Sequence, residues 1–419
     1  MRNREMPDLL REWCTMSEQT NQGDRPDRRD WMATAAAAAA VAVVNDIAHA
    51  ADQPGKQVED RASAIRITGL KATTFGGFLY VKVETNRGIV GWGETAGLEP
   101  QSAAALVHSF SQLLVGENPT RIEYLWQMLY RAHRDIRGGP FMVHTISAID
   151  QALWDIAGKL HGVPVYRLLG GPVRDQIRWY NNKFAHKAPP YGIYEHAGSP
   201  PDFDNMVRAI ADARKLVGPK GAVMFDAHCA IPPATLIQFA AAIKPYDVLF
   251  IEEPAVPGNI EVFKRLKEQI PIPFAAGERD RTIWEFAPYL HERCLDILQP
   301  DVSHSGGITQ MLKIAALAEA YYTPLAPHCT NTLLGLSASM HAIAAVPFFL
   351  IHETNLNATP KGLVHAEWKD HNDGYVGLPS GPGLGVEVDE KELERLSKLP
   401  SEWKWPVYGR LKDGSIADY

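Results

Sequence analysis

The sequence predicts an α/β protein in which a modified β/α barrel follows a smaller α+β unit. Three observations carry this prediction. Two strand-like runs precede long helical runs between residues 64 and 175. From residue 176 to 372, short apolar runs alternate with helical segments. Finally, acidic and histidine side chains end successive apolar runs at nearly equal steps along the chain.

The composition is that of an ordinary globular protein. The 419 residues are 46% apolar and 22% charged, and the net charge is -7. An acidic chain without a Lys/Arg-rich stripe argues against a nucleic-acid partner. No continuous apolar stretch is long enough to predict a transmembrane helix, so we expect no membrane association once the N-terminal signal described next is removed.

Residues 1–50 are predicted to be an export signal. Arg28 and Arg29 precede a largely apolar stretch from Met32 to Val44, and Ala48-His49-Ala50 follows as an A-x-A cleavage signal. The arginine pair resembles a twin-arginine signal, which predicts a periplasmic protein, although acidic residues flank the pair. The alternative is an Ala-rich disordered tail on a cytoplasmic protein.

The cysteines do not predict a disulfide framework. Of the four, Cys14 would leave with the signal, and Cys229, Cys294 and Cys329 are an odd, sparse set without a C-x-x-C metal pattern. Cys229 and Cys329 each follow a candidate site histidine, and we expect both to face the surrounding helices.

Residues 64–175 are predicted to form the α+β unit, completed by about residues 373–419. The runs 64–75 and 78–94 are strand-like, with a bend at Asn86-Arg87-Gly88. Apolar residues then recur at helical spacing from Gln101 to about Leu169, and Gly116 and Gly162 stand just past two of these runs, where helices commonly end. Strands followed by helices are typical of an α+β unit.

Residues 176–372 are predicted to form the barrel. Repeated strand–helix units predict a parallel sheet, and six or more of them favour closure into a barrel. The predicted strands are IRWYNN, AVMFDAH, VLFIEEP, PFAAGE, DILQPD, YTPLAPH and FFLIHE. The predicted helices between them are ATLIQFAAAIK, NIEVFKRLKEQ, TIWEFAPYLHER, ITQMLKIAALAEAYY and LLGLSASMHAIAAV.

Three carboxylates at equal steps predict a metal site. Glu252 follows Asp226 by 26 residues, and Glu278 follows Glu252 by 26. Because each ends a predicted strand, they should meet at the rim where barrel enzymes have their active sites. Carboxylates that converge repel one another unless a cation lies among them, and oxygen ligands favour Mg²⁺, with Mn²⁺ as a second candidate. Glu253 should point to the opposite face and be structural.

The series continues with a predicted acid–base pair. Asp301, His328 and Glu353 follow Glu278 in turn by 23, 27 and 25 residues. Neighbouring strands lie about 4.8 Å apart, so Asp301 and His328 should touch, and a carboxylate beside an imidazole makes a general base. His228 is two residues beyond Asp226, which places both side chains on one face of a strand.

These residues resemble a known family. Asp226-x-His228, Glu252-Glu253-Pro254, Gly277-Glu278-Arg279, Gln299-Pro300-Asp301, Pro327-His328 and His352-Glu353 are similar to the motifs of the enolase superfamily, mandelate racemase-like group. The resemblance is nearest to acid-sugar dehydratases of the galactonate type and covers about residues 64–390. It implies an enolase-type modified TIM barrel, (β/α)7β-like, with an α+β capping domain whose loops near 74–78 and 94–100 select the substrate.

The resemblance also implies roles. Asp226, Glu252 and Glu278 would bind Mg²⁺. His328, oriented by Asp301, would remove the proton α to the carboxylate of a small sugar acid, giving an enediolate. Glu353 would hydrogen-bond that carboxylate, and His228 would protonate the departing β-hydroxyl. Relatives commonly form symmetric oligomers, so we expect a homo-oligomer.

The sequence departs from the family pattern at the second barrel unit, which we expect to be abbreviated, because the 45 residues from Asn181 to Asp226 are fewer than two 26-residue steps. Many relatives carry a Lys-x-Lys pair there, whereas this chain has KFAHKAPPYGIYEHAGSPP, followed by one clear helix, FDNMVRAIADARKLVG. The absence of Lys-x-Lys argues against a racemase with a lysine base and is compatible with a dehydratase that uses two histidines. A racemase or epimerase that uses both histidines, and a non-catalytic sugar-acid binder, remain the alternatives.

Overall fold

The computed structural model describes residues 64–132, 134–181, 203–356, 358–368 and 374–400. The predicted export signal, the stretch KFAHKAPPYGIYEHAGSPP and the last 19 residues lie outside the described residues. Within the described part, none of the helices combines the length and the apolar character needed to cross a membrane.

The α+β unit begins with a three-stranded antiparallel meander. Its strands are β1 (Ile67–Phe75), β2 (Phe78–Thr85) and β3 (Val90–Thr95), in the order β1-β2-β3. The predicted run 78–94 is thus two strands, because the chain turns back at the predicted bend after Thr85. Side chains alternate along β2, where Leu79, Val81 and Val83 are buried.

Four helices follow the meander: α1 (Pro100–Leu114), α2 (Ile122–Ala132), α3 (Pro140–His161) and α4 (Val165–Leu168). Helix α3 lies directly on β3. A Cβ at Gly91 would be 2.0 Å from the Ala152 carbonyl oxygen, and one at Gly93 would be 2.0 Å from that of Ala148. The two glycines therefore permit a helix–sheet approach that a side chain would prevent.

The following strands are parallel neighbours, as predicted. They are β4 (Gln176–Asn181), β5 (Phe225–Asp226), β6 (Ile251–Glu252), β7 (Phe274–Ala276), β8 (Ile297–Leu298) and β9 (His352–Thr354). Strands β5 to β8 form one sheet in sequence order, and β4 pairs with β9. The predicted strand YTPLAPH is reduced to Leu325, which bridges Leu298 on one side and Phe349 on the other.

Helices separate these strands close to their predicted positions. They are α5 (Phe203–Val217), α6 (Pro233–Ile243), α7 (Ile260–Gln269), α8 (Thr282–Glu292), α9 (Gly307–Ala320) and α10 (Leu333–Ala345). Short strands β10 (Val364–Ala366), β11 (Tyr375–Gly377) and β12 (Val386–Val388) and helix α11 (Glu390–Ser397) end the described chain. The strands enclose a small apolar cluster made of Tyr180, Met224, Phe250, Ala275, Ile297, Ala326 and Ile351.

Aromatic side chains join the α+β unit to the segments after β7 and β8. Trp126 and Tyr130 of α2 are stacked with ring centroids 4.9 Å apart, and Tyr130 is stacked on Trp284 of α8 at 5.1 Å. The indole Nε1 of Trp126 donates a hydrogen bond to the Gly306 carbonyl oxygen at 2.9 Å. Helix α2 is therefore held against the barrel segments that carry the candidate site.

Candidate active site

The structure brings the predicted site residues together at the carboxyl ends of the parallel strands. Asp226 and Glu252 are the last residues of β5 and β6 and are direct partners in the sheet register. Glu278 lies two residues beyond β7, and Glu353 is in β9. This is the edge at which parallel sheets position reactive groups.

Burial of several carboxylates together perturbs their pKa values. The pKa of Glu252 is raised well above its ordinary value by burial and by the charges of Asp226, Glu353 and Glu278. Burial is also the main reason that the pKa of Asp226 is raised. For Glu278, burial acts in the same direction, but the charges of His328 and of Arg279 and His228 outweigh it and lower the pKa.

Acidic and imidazole groups in this region could hold a metal ion, but the predicted trio Asp226, Glu252 and Glu278 is not among the described sets whose ligand atoms all lie within 4.8 Å of one another. A bound cation would offset the burial and the mutual repulsion that together raise the pKa values of Asp226 and Glu252. Among the described residues, two sets hold ligand atoms within 4.8 Å of one another, and both mix carboxylate with imidazole. These sets are Asp226, His228 and Glu253, and Asp301, His304 and His328.

His328 and Asp301 form the predicted pair. Nδ1 of His328 donates to Oδ2 of Asp301 at 2.7 Å, which leaves Nε2 directed at the carboxylates. Nε2 is 3.5 Å from Oε2 of Glu278 and 3.8 Å from Oε2 of Glu353. Burial alone would lower the pKa of His328, but the charges of Glu278, Glu353 and Asp301 raise it well above the ordinary value.

Asp301 is held in place by its neighbours. It is fully buried, and its Oδ1 accepts from the Ser303 amide at 2.7 Å and from Nδ2 of Asn331 at 3.0 Å. Burial would raise the pKa of Asp301, but His304, His328 and Asn331 together lower it well below the usual range. The carboxylate therefore stays ionised and fixes the orientation of the His328 ring.

Glu353 stands on the same side as His328. Its Oε2 accepts a hydrogen bond from the Cys329 amide at 2.9 Å, and burial is the main cause of its raised pKa. Cys329 itself is fully buried within the main apolar core. A carboxyl group with a raised pKa can serve as a hydrogen-bond donor in its protonated form.

His228 reaches the site by a route different from the one predicted. Strand β5 ends at Asp226, and His228 has a left-handed backbone with φ of 46°, so the strand alternation used to place it does not apply. Instead, the His228 amide donates to Oδ1 of Asp226 at 2.7 Å, and this tight turn carries the imidazole back to the site. Nδ1 of His228 is 3.3 Å from Oδ2 of Asp226.

The prediction that Glu253 points away from the site is wrong. Glu253 has φ of 42°, so it has left the extended conformation that would have turned its side chain to the opposite face. Its Oε2 is 3.3 Å from Nδ1 of His228. Arg279 donates from Nε to Oε1 of Glu253 at 2.6 Å and from Nη2 to Oε2 at 2.9 Å, and its Nη2 is 3.2 Å from Nε2 of His228. Glu253 and Arg279 are thus part of the surroundings of His228.

Sequence reasoning also missed two residues that face the site. Tyr180 of β4 lies opposite Glu353 in the sheet register, and burial, followed by the charges of four carboxylates, raises the pKa of its phenol well above the ordinary value. His304 packs beside His328 with ring centroids 5.8 Å apart. The sequence signal that could have found Tyr180 is its place in the predicted strand IRWYNN. Tyr180 pairs with Glu353 in the parallel register, so the two side chains lie on the same face.

Comparisons with known proteins agree with this architecture. Residues 183–392 match the family model described as enolase C-terminal domain-like, and residues 62–170 match that of the mandelate racemase / muconate lactonizing enzyme N-terminal domain. The D-galactonate dehydratase of Ralstonia nicotianae is 38% identical over 82% of this chain and 96% of its own length. That of Pectobacterium atrosepticum is 36% identical with the same coverage.

Solved structures of the same architecture are similar over most of their length. The 3,6-anhydro-D-galactonate cycloisomerase from Zobellia galactanivorans has a TM-score of 0.73 and 29% identity, over 79% of this chain and 99% of that one. The mandelate racemase/muconate lactonizing enzyme from Sulfitobacter sp. has a TM-score of 0.73 and 28% identity, over 82% and 99%. The predicted fold class, an enolase-type barrel with an α+β capping domain, and the predicted resemblance are both confirmed. The chain belongs to the mandelate racemase/muconate lactonizing enzyme family of the enolase superfamily.

Proposed function

We propose that the protein is a sugar-acid dehydratase, a hydro-lyase that converts an aldonate into a 2-keto-3-deoxy acid. The observation that carries the proposal is the pair of imidazoles, His328 and His228, that approach one cluster of buried carboxylates from different strand ends. Similarity to D-galactonate dehydratases at 36–38% identity supports the same reaction class.

The first step is removal of the proton α to the substrate carboxylate. His328 would accept this proton at Nε2 in its neutral form, because Nδ1 already donates to Asp301, and its raised pKa makes that neutral imidazole a stronger base. The ionised Asp301 stabilises the imidazolium that results. The product of this step is an enediolate, in which negative charge moves onto the substrate carboxylate.

The negative charge of the enediolate must be stabilised at once. Glu353 would donate a hydrogen bond to one carboxylate oxygen in its protonated form, which burial favours by raising its pKa. Asp226, Glu252 and Glu278 would hold Mg²⁺, which supplies positive charge for the same oxygens when bound. The buried position of Glu252 and Glu353 keeps water away from these groups and strengthens each interaction.

The second step is elimination of the β-hydroxyl. His228 would donate a proton to the departing oxygen, so that the C–O bond breaks and water leaves. The enol that remains takes up a proton at the β-carbon and becomes the 2-keto-3-deoxy acid. Asp226 and Glu253 lie 3.3 Å from Nδ1 of His228, and together with Glu278 their charges outweigh the effect of burial and raise the pKa of the imidazole.

Isomerisation is the second candidate reaction. A structural neighbour is a cycloisomerase, and two imidazoles around one carbon could exchange a proton between its faces without elimination. This alternative uses the same residues as the proposed dehydration, so only the products separate the two reactions.

The test is product analysis on a panel of aldonates in deuterated water. Dehydration predicts release of a keto acid, detected as its semicarbazone, with the α-carbon losing its proton. Exchange of the α-proton, or a changed configuration, without release of keto acid would favour isomerisation. Aldonate binding measured by calorimetry, without either reaction, would indicate a non-catalytic sugar-acid binder and contradict both the dehydratase and the isomerase hypotheses.

A further inference from the structure

The ring of His304 lies where the α+β unit meets the candidate active site. It is stacked on His144 of α3, with centroids 4.3 Å apart and planes 7° apart. On its other side is the ring of His328, at 5.8 Å and 35°. Nδ1 of His304 donates to the Glu278 carbonyl oxygen at 3.0 Å. One side chain therefore contacts the α+β unit, the segment after β7 and the proposed base.

The loop of residues 96–99, which joins β3 to α1, rests on this ring. His144 Nδ1 donates to the Ala96 carbonyl oxygen at 3.2 Å, which ties the loop to the histidine stack. A Cβ at Gly97 would be 3.2 Å from Nε2 of His304 and 3.5 Å from its Cε1. A side chain at Gly97 would thus press on the His304 ring, which would have to move by a few tenths of an ångström.

The segment that carries His304 is itself fixed to the α+β unit. Thr95 Oγ1 donates to the Ser303 carbonyl oxygen at 3.0 Å, and the Gly306 amide donates to Ser147 Oγ at 2.9 Å. These bonds hold residues 303–306 against β3 and α3. The backbone of His304 is thus fixed to the α+β unit, and its ring is left to respond to the loop through Gly97 and His144.

We propose that His304 is a positioning residue that makes the alignment of the His328 imidazole depend on how the loop of residues 96–99 is seated. The inference rests on the proposed role of His328 as the base. With the loop seated, His304 is confined between His144, Gly97 and the Glu278 carbonyl, and its ring limits rotation of His328. With the loop displaced, His304 has room to turn, and Nε2 of His328 loses its alignment with the α-proton.

The first test is His304→Ala. We expect α-proton exchange and dehydration to fall together, by about 10- to 100-fold, because misplacement of a reacting group by roughly 1 Å has effects of this size. The loss should appear in kcat, because the alignment of His328 affects the proton-transfer step. Amide hydrogen exchange at residues 96–98 should become faster.

His304→Phe keeps the stack and loses the bond to Glu278, so its rate should lie between those of wild type and His304→Ala.

The second test uses two glycines with similar backbones. Gly97 has φ of 75° and Gly88, in the β2–β3 turn, has φ of 70°, but a Cβ at Gly88 would contact nothing within 4 Å. Because the two φ values are nearly equal, alanine at either site should cause about the same backbone strain. Only Gly97→Ala should slow α-proton exchange, and in the His304→Ala background it should have little further effect.

Several results would overturn the inference. One is a His304→Ala variant with wild-type rates and wild-type amide exchange. Another is a Gly97→Ala penalty that is equal with and without His304. If the wild-type protein neither exchanges the α-proton nor dehydrates any aldonate, the proposed function fails. Amide hydrogen exchange would still test the role of His304: unchanged protection of residues 96–98 in His304→Ala would show that the ring does not hold the loop.

Discussion

His328 and His228 are held by different neighbours, so their replacements should separate the two proton transfers. His328→Asn removes the group paired with Asp301 and should abolish α-proton exchange, a loss of about 100- to 10,000-fold. His228→Asn should block elimination more than exchange. Exchange followed by NMR in deuterated water, beside keto-acid release, measures both. His365→Asn, at an exposed position of β10, is the control, and full turnover in both site variants would contradict the assignment.

Arg279 compensates the buried charge of Glu253, which is 2% exposed. Arg279→Ala should leave that carboxylate buried without its bidentate partner and destabilise the protein by about 3 kcal/mol. Urea unfolding monitored by circular dichroism measures the loss. Arg279→Ala combined with Glu253→Gln should recover part of it, because the neutral amide has no charge to compensate. A double variant no more stable than Arg279→Ala would argue that the pair is not the cause.

The regular spacing in the sequence predicted which side chains stand at the ends of strands. It did not predict where the side chains of the residues after those strand ends would point. Asp226 and Glu252 could be predicted because parallel register aligns strand ends. Glu253 was misplaced and Arg279 had no predicted role, because strand alternation stops where the backbone takes a positive φ. The pattern of apolar residues does not report that change of conformation.

At the scale of elements, Glu94 joins the end of β3 to the start of α10. It is fully buried, and its Oε1 accepts from the amide of Thr332, the N-cap residue of α10, at 2.7 Å. Thr332 Oγ1 also donates to Oε2 of Glu94 and is hydrogen-bonded to the Tyr80 hydroxyl. A side chain of the α+β unit therefore fixes the helix that follows the loop of His328.

This contact predicts a pH-dependent stability. Burial raises the pKa of Glu94 to about 7 in the folded protein, against an ordinary value of 4.5. The folded state therefore binds the Glu94 proton more tightly than the unfolded state does. The contribution of this proton to the free energy of unfolding is complete below pH 4.5 and is lost as the pH rises to 7. Relative to Glu94→Gln, wild type should lose roughly 2 to 3 kcal/mol between pH 5 and pH 8.

Urea unfolding at both pH values measures this difference. Glu261→Gln, at a largely exposed position on α7, is the matched control and should follow wild type. A Glu94→Gln variant whose stability relative to wild type is the same at pH 5 and pH 8 would contradict the prediction.

Helices were predicted more closely than strands for a physical reason. Each predicted helix carries its own repeating pattern and its own hydrogen bonds, so α7 and α8 begin and end within one residue of the predicted runs. The strands are shorter than the apolar runs that contain them, because burial extends beyond the residues that pair. Leu325 shows this most clearly: Ala326 and Pro327 after it are also buried, yet only Leu325 bridges the adjoining strands.

For the whole molecule, metal binding should appear as stability. If Asp226, Glu252 and Glu278 bind Mg²⁺ only when folded, Mg²⁺ at about 100 times its Kd should stabilise the protein by roughly 2.7 kcal/mol. Thermal unfolding with Mg²⁺ and with EDTA measures the difference. The double variant Asp226→Asn/Glu252→Gln should lose the response to Mg²⁺. A response that persists in this variant would place the ion elsewhere.

The overall architecture could be predicted because it depends on a repeated strand–helix pattern over some 200 residues. The contacts between the α+β unit and the barrel could not. His144 and His304 are 160 positions apart in the chain, and the sequence contains no period that relates them. Such contacts depend on how two surfaces fit, which only the folded chain defines.

The stack of Trp126, Tyr130 and Trp284 should give the protein a spectroscopic signal that reports on the contact between α2 and α8. Trp126 is almost fully buried and Trp284 is half exposed, and the three rings run in face-to-face contact from α2 to α8. Rings coupled in this way should contribute a near-ultraviolet circular dichroism band that is lost when α2 leaves α8. Separation of the α+β unit from the barrel could then be followed without a label, and compared with the global loss of helix in the far ultraviolet.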